Sequence, residues 1–267
     1  MRRTALLPVL LVVASGVTLV LAQRPFRQFM EEEDNPAAFP ADGNEKTEFV
    51  FGRLRYRSWR GSRYMAGYGS WSTDYPKADR QFLQGVRRLT RIQARSSEQV
   101  VGMDDPDDIY NWPWLYAVEV GRWDLSDKDA AKLRDYLLRG GFLMVDDFHG
   151  TLEWSIFAEG MQKVFPDRPI VELENKDQIF HTLYDLDERF QVPGIQYWYS
   201  GSIYERDGVE ARWRGIYDDH GRIMVAICHN MDLGDAWEWA DHPRYPEHYA
   251  SLAYRVAINY IIYSMSH

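Results

Sequence analysis

Phe142-Leu143-Met144-Val145-Asp146-Asp147-Phe148-His149-Gly150 is the stretch on which the fold turns. Its four leading apolar residues carry no polar alternation, the mark of a strand covered on both faces. Gly140-Gly141 ends a helix just before it. A second helix follows over about 151–165 and closes at Pro166. A buried strand between two helices implies a parallel sheet sandwiched between helices. In such sheets ligands bind beyond the carboxyl ends of the strands, which is where Asp146, Asp147 and His149 stand.

The same pattern repeats outward. Ser126 caps the helix that precedes the strand, with Asp127 and Asp129 in its first turn and Ala130, Leu133, Leu137 and Leu138 as its apolar stripe. Leu115 to Val120 reads as another apolar strand, leading into Gly121-Arg122-Trp123. Farther back, Thr47–Ser58 reads as a strand in which Arg53, Arg55 and Arg57 alternate, as if lining one sheet face or edge. A long aromatic loop, 61–73, leads to a helix over 76–92, with Thr73 or Asp74 as its cap, Pro76 in its first turn and Phe82, Val86, Leu89 and Ile92 on its apolar face. Arg80, Arg87, Arg88, Arg91 and Arg95 suit a solvated helix face.

Toward the C-terminus, Ile170–Leu173 is a fourth strand. Arg212–Tyr217 and Arg222–Cys228 form a hairpin around Asp218-Asp219-His220-Gly221. Residues 231–247 read as a polar, tryptophan-rich loop, and a terminal helix runs from about Tyr245 to Tyr263. The expected architecture is α/β and three-layered, a mostly parallel, flavodoxin-like sheet flanked by helices, with a C-terminal hairpin and helix.

Composition bounds the rest. The 267 residues are 45% hydrophobic and 15% aromatic, enough for one large core. Arg2 and Arg3, an apolar run over 5–22 and the small residues of Val20-Leu21-Ala22 make residues 1–22 a secretory signal or, alternatively, a retained anchor. Residues 23–46 have the composition of a disordered linker, which leaves 47–267 as a single domain. The expectation is export to the periplasm or cell envelope, with membrane contact only through 5–22 if uncleaved. Cys228 is the one cysteine, so no intramolecular disulfide is available, and its apolar neighbours suit a buried thiol. A net charge of −9 argues against nucleic acid.

Four polar clusters are candidate sites, each with a plain structural alternative. In the first, Asp146, Asp147 and His149 could supply acid–base chemistry or bind metal; equally, Asp147 could cap a turn while His149 packs on Trp154. The second is His229, Asn230, Asp232 and Asp235, where Asp-x-x-Asp suits a hard cation or an Asx-turn loop. The third, Trp237 and Glu238 with Trp239, Asp241 and His242, could line a sugar cleft or pack as a lid. The fourth, Asp74 and Tyr75 at a helix start, with Arg57 nearby, suits an anion or simple capping. Arg122 and Trp123 join the candidate substrate contacts. The catalytic candidates are Asp146, Asp147, His149 and His229; a divalent metal, the one cofactor considered, would use Asp146, His149, His229, Asp232 and Asp235. No serine-elbow, phosphate-loop, dinucleotide or His-Glu-x-x-His motif occurs.

The chain resembles a bacterial family known as domain of unknown function 4159. The likeness rests on Phe51-Gly52-Arg53-Leu54-Arg55-Tyr56, on Thr73-Asp74-Tyr75-Pro76-Lys77-Ala78-Asp79, on Gly140 to Gly150, and on Gly215 through Trp239 to Asn259-Tyr260. It implies a class I glutamine-amidotransferase-like fold related to trehalose-utilisation-type proteins, with no settled activity. It also implies envelope partners, since such genes sit beside those of MoxR-type ATPases and von Willebrand-type proteins. In true amidotransferases a cysteine stands at the turn after a central strand; here that turn is Asp146-Asp147-Phe148-His149-Gly150, so no glutaminase activity is expected. The two functions expected are an envelope module that binds a carbohydrate or a partner protein, and a metal-assisted or acid–base hydrolase.

Overall fold

The computed structural model describes residues 24–25, 40–59 and 70–267. The signal or anchor segment 1–22 lies outside the described residues, as do Arg60, Arg63 and most of the aromatic loop. Among the described residues no helix is long and apolar enough to cross a membrane.

The chain runs β1 (Gly52–Arg55), α1 (Lys77–Leu89), β2 (Gln99–Gly102), β3 (Trp114–Val118), α2 (Asp127–Leu138), β4 (Phe142–Asp146), α3 (Gly150–Val164), β5 (Val171–Glu172), α4 (Tyr197–Ser200), β6 (Arg212–Tyr217), β7 (Ile223–His229), α5 (Leu233–Glu238) and α6 (Glu247–Ser266). One seven-stranded sheet has the order β2-β1-β3-β4-β7-β6-β5. β2, β1, β3, β4 and β7 are parallel; β6 pairs antiparallel with β7 and with β5. The chain steps from β1 to β2 in one direction across the sheet and from β3 to β4 in the other. The crevice between β1 and β3 is therefore the topological switch point. The fold is α/β, mostly parallel and helix-flanked, as expected.

Side-chain alternation along β4 explains its unbroken apolar run. Phe142 and Met144 enter one core with Phe82 of α1, Trp237 of α5 and Ala257 of α6. Leu143 and Val145 enter the other, with Leu133 of α2 and Phe157 of α3. Both faces are dry, so polar alternation has no place there. Ser126 caps α2 through a reciprocal box with Asp129, whose amide donates to the Ser126 hydroxyl at 3.2 Å.

Several local expectations need correction. Arg53 does not line an edge. It is wholly buried in β1, between β2 and β3, and its guanidinium donates to Asp79 at 3.0 and 2.5 Å and to the Thr73 carbonyl at 3.2 Å. A buried guanidinium persists only when paired and hydrogen-bonded, and Asp79 from α1 supplies that. Arg95 is buried rather than solvated. β2 had no expectation, because Gln99-Val100-Val101-Gly102 is too short to carry a period. Neither Thr73 nor Asp74 caps α1 through its side chain; the cap position is Pro76. The stretch after Met231 is not all loop: Asp232 caps α5, accepting from the Asp235 amide at 2.7 Å. Residues 40–46 of the expected linker form a turn on the domain, where Asp42 accepts from the Ser96 amide at 2.8 Å.

Candidate functional site

The carboxyl ends of the parallel strands gather most of the polar candidates. β3, β4 and β7 are each followed at once by a non-glycine residue with positive φ: Glu119 at 56°, Asp147 at 51° and Asn230 at 65°. Asp74, in the segment leading from β1 to α1, has φ 62°. Left-handed backbone costs a non-glycine residue about 1–3 kcal/mol and concentrates at functional turns. Here it bends each chain sharply at the sheet's edge and turns the following residues over the strand ends.

Asp146 ends β4 and is wholly buried. Its Oδ2 accepts from the Tyr116 hydroxyl at 3.0 Å and from the amides of Leu233 and Gly234 at 2.7 and 3.1 Å. Burial and the neighbouring Asp147 push its pKa up to about 7, against those hydrogen bonds. This carboxyl anchors the start of α5 from below. Its other oxygen, Oδ1, has no partner among the described residues.

Asp147 comes next, with Oδ1 3.1 Å from His149 Nε2. Glu205 Oε1 is 3.8 Å from the same nitrogen. Burial alone would lower the His149 pKa, but Asp147, Glu205 and Glu153 outweigh it and hold the ring above the ordinary 6.5. Glu153 closes the start of α3: its Oε2 accepts from the His149 amide at 2.6 Å, while Oε1 takes Arg206 at 2.7 Å and Arg122 at 3.6 Å. Gly150, at φ 74°, donates its amide to Asn230 Oδ1 at 2.8 Å. A Cβ there would collide with Asp207, whose carboxylate takes the Thr151 amide and hydroxyl at 2.9 and 2.7 Å.

His229 faces differently. Its Nε2 is 3.2 Å from the Gly150 carbonyl and its Nδ1 3.2 Å from Arg214 Nη1. An acceptor on one side and a cation on the other require a neutral ring protonated at Nε2. Burial, then Arg214, lower its pKa to about 4 despite the Gly150 contact. The ring packs between Phe148 and Trp154, with centroids 4.8 and 4.9 Å away. Trp154 thus packs on His229, not on His149.

A second carboxylate group lies toward β1. Asp74, Asp232 and Asp235 each place an oxygen within 4.8 Å of the others. Asp235 accepts from the Ile195 amide at 2.5 Å and from Trp239 Nε1 at 3.2 Å. Burial raises all three carboxyls, and the three repel one another and Asp147. Burial, with Asp235, also raises Glu238 to about 7, against Lys77.

The metal set expected from sequence therefore divides. Asp147, His149 and Glu205 hold ligand atoms within 4.8 Å, and Asp74, Asp232 and Asp235 form the other such group. Asp146 belongs to neither group, and its Oδ2 is taken by three donors. His229 belongs to neither, because its two nitrogens are committed to Gly150 and Arg214. The first group, with one imidazole and two carboxylates, suits a transition metal or zinc, or proton transfer; the second offers oxygen alone.

Burial corrects two other candidates, Trp237 and Trp123. Trp237 is wholly buried and packs on Phe82 and Tyr116, with centroids 4.5 and 5.3 Å apart, so it lines no cleft. Trp123 is core as well, stacked on Phe157 at 5.2 Å. Arg122 binds Glu119 at 2.7 Å, Arg57 is exposed just past β1, and half-buried Tyr75 packs on Trp71. Asn230 is structural: beyond Gly150, its Nδ2 donates to the Glu210 carbonyl at 2.7 Å.

Glu119, Glu153, Glu205 and Arg206 had no expectation. Glu119 was hidden inside an apolar strand reading. Glu205-Arg206-Asp207-Gly208 carried a readable signal, a charged turn between aromatic and apolar stretches, but nothing local says that it crosses to α3. No curated protein matches the chain. The sequence pattern of the family described as domain of unknown function (DUF4159) matches residues 50–265, and the chain belongs to that family.

Proposed function

We propose that this chain is an exported binding domain of the cell envelope, without glutaminase chemistry, whose strand-end site takes a polyhydroxylated ligand of the carbohydrate class. One observation carries the reading. The turn between β4 and α3, where an amidotransferase-like fold would hold its cysteine, holds Asp147 at φ 51° instead. Cys228 sits within β7, wholly buried, and burial pushes its thiol pKa well up, the reverse of an activated nucleophile. Around Asp147, carboxylates offer acceptors to hydroxyl groups, and half-buried Trp154 offers an aromatic edge beside the same turn.

Two measurements test it. Ammonia release from glutamine should stay at background for the wild type and for Cys228→Ser; a thiol-dependent release would overturn the non-glutaminase part. Titration with neutral and amino-sugar oligosaccharides, read by tryptophan fluorescence, should saturate for the wild type and weaken about tenfold or more in Asp147→Asn. Absence of any saturable change across both sugar classes would overturn the ligand class.

A second reading, a hydrolase, is favoured by the 3.1 Å contact between Asp147 and His149 with Glu205 behind it. His149 would donate a proton to a leaving group, or the three side chains would hold a metal that activates water. Sugar turnover lost in both His149→Ala and Glu205→Gln would establish it over simple binding.

A further inference from the structure

The Asp74–Asp232–Asp235 group shares no residue with the Asp147–His149–Glu205 group. We infer that it is a site for one hard divalent cation of the Ca²⁺ type, completed by the amide oxygen of Gln196, and separate from the Asp147–His149–Glu205 group. Every donor is oxygen, the set that Ca²⁺, Mg²⁺ and Mn²⁺ prefer over zinc or copper.

The convergence of those oxygens is built into the backbone. At Gly194 an added Cβ would meet Asp232 Oδ2, Gln196 Oε1 at 2.6 Å and Asp235 Oδ2 at 2.8 Å. At Gly234 it would meet Asp74 Oδ2 at 2.6 Å and the Tyr116 hydroxyl at 3.1 Å. Two glycines therefore stand where any side chain would push the oxygens apart. Asp74 reaches the group through its left-handed backbone, and Asp232 through its place at the head of α5.

Repelling carboxylates alone do not make a site. The independent observation is polar atoms left open. Asp146, wholly buried beneath the head of α5, satisfies Oδ2 three times over and leaves Oδ1 with no partner among the described residues. Asp74 Oδ2, the atom facing Gly234, is enclosed and likewise without a partner there. A buried carboxylate oxygen without a donor is costly, and Asp74 Oδ2, which stands among three mutually repelling carboxylates, calls for a positive charge. Lys77 does not supply it: its Nζ lies 3.8 Å from the centre of the Trp239 ring and 3.9 Å from Glu238. Arg53 is committed below, to Asp79.

Terbium(III), a luminescent stand-in for Ca²⁺, tests the inference on the full-length protein. Trp239 Nε1 is 3.2 Å from Asp235 Oδ1, so excitation of tryptophan should sensitise a bound ion. The expected result is saturable emission displaced by Ca²⁺, with one ion per chain. Asp232→Asn should weaken binding at least about tenfold. Trp239→Phe should cut the sensitised emission. His149→Ala and Glu205→Gln should bind as the wild type does; their loss of binding would place the ion in the other group and overturn the inference. So would an absence of saturable binding at millimolar Ca²⁺, Mg²⁺ and Mn²⁺. Should Asp232→Asn fail to fold, Asp74→Asn, which alters a half-buried ligand outside α5, should show the same weakening, and wild-type affinity in it would overturn the inference.

Discussion

At the end of β4 the chain turns through Asp147 and presents His149; at the end of β7 the last strand residue is His229 and the turn passes through Asn230. Both turns are left-handed, both follow a strand buried on two faces, and both histidines are nearly buried. Their chemistry diverges because of what lies across from them. His149 meets Asp147 and Glu205, which favour the charged ring; His229 meets Arg214 and two aromatic faces, which favour the neutral one. The left-handed residues diverge as well. Asn230 uses its amide to tie the start of α3 to Glu210, whereas the Asp147 side chain bonds the histidine and crowds other carboxylates. One turn holds the fold together, and the other concentrates charge at some cost to it.

The largest expected effect breaks that contrast directly. Asn230→Ala removes two bonds, strands the Gly150 amide and keeps an unfavourable φ, and should destabilise the domain by about 3 kcal/mol in urea unfolding. Asp147→Gly relieves the left-handed strain and a like-charge contact, and should leave stability unchanged or raise it by about 1 kcal/mol. Equal losses in the two variants would mean that both turns are structural.

Next in size is the pH dependence of stability. Asp79 is raised to about 6, Asp146 and Glu238 to about 7, and Asp74, Asp232, Asp235 and Glu119 are raised too. Burial is the first cause in each. The folded state then binds more protons than the unfolded one between about pH 4 and pH 7, so stability falls as pH rises through that window. His149 acts in the same sense. His229, lowered to about 4, acts in the opposite sense between pH 4 and 6.5, as one group against several. The unfolding midpoint should climb by roughly 5 °C from pH 8 to pH 5.5. A flat profile would mean that the carboxylates are compensated by something other than protons, and saturating Ca²⁺ should produce that flattening.

The smallest effect is spectroscopic. In a proton-detected titration the His149 ring should change charge above pH 6.5, and the His229 ring only near pH 4. A shared midpoint would erase the difference between the two turns.

Much of the fold was legible from residues 126–166 and 212–229. Ser126 with Asp129, the unbroken apolar run of β4 and the polar turn at Asp218–Gly221 are local signals with local causes. β2 and α5 were not legible, being four and six residues long. The site was half legible. Apolar strands ending in acids and histidines pointed to the edge of the sheet where these side chains gather, but sequence proximity grouped His229 with Asp232 and Asp235, and Trp237 with Glu238. His229 turned to Gly150 and Arg214 while Asp232 and Asp235 stayed together, and Trp237 entered the core while Glu238 did not, because neighbouring residues at a strand end or on a helix point in different directions.

By itself the sequence determined the class of the fold, the lack of an intramolecular disulfide, and the run of acids and a histidine that follows the central strand. Those follow from composition, period and position, which need no long-range contact. Only the tertiary structure decided that Arg53 is buried against Asp79, that Glu205 meets His149 and that Asp74 joins Asp232 and Asp235. These pairings span 26, 56 and well over a hundred residues of chain, and they depend on strand order and on the few left-handed turns that bring distant segments over one edge of the sheet.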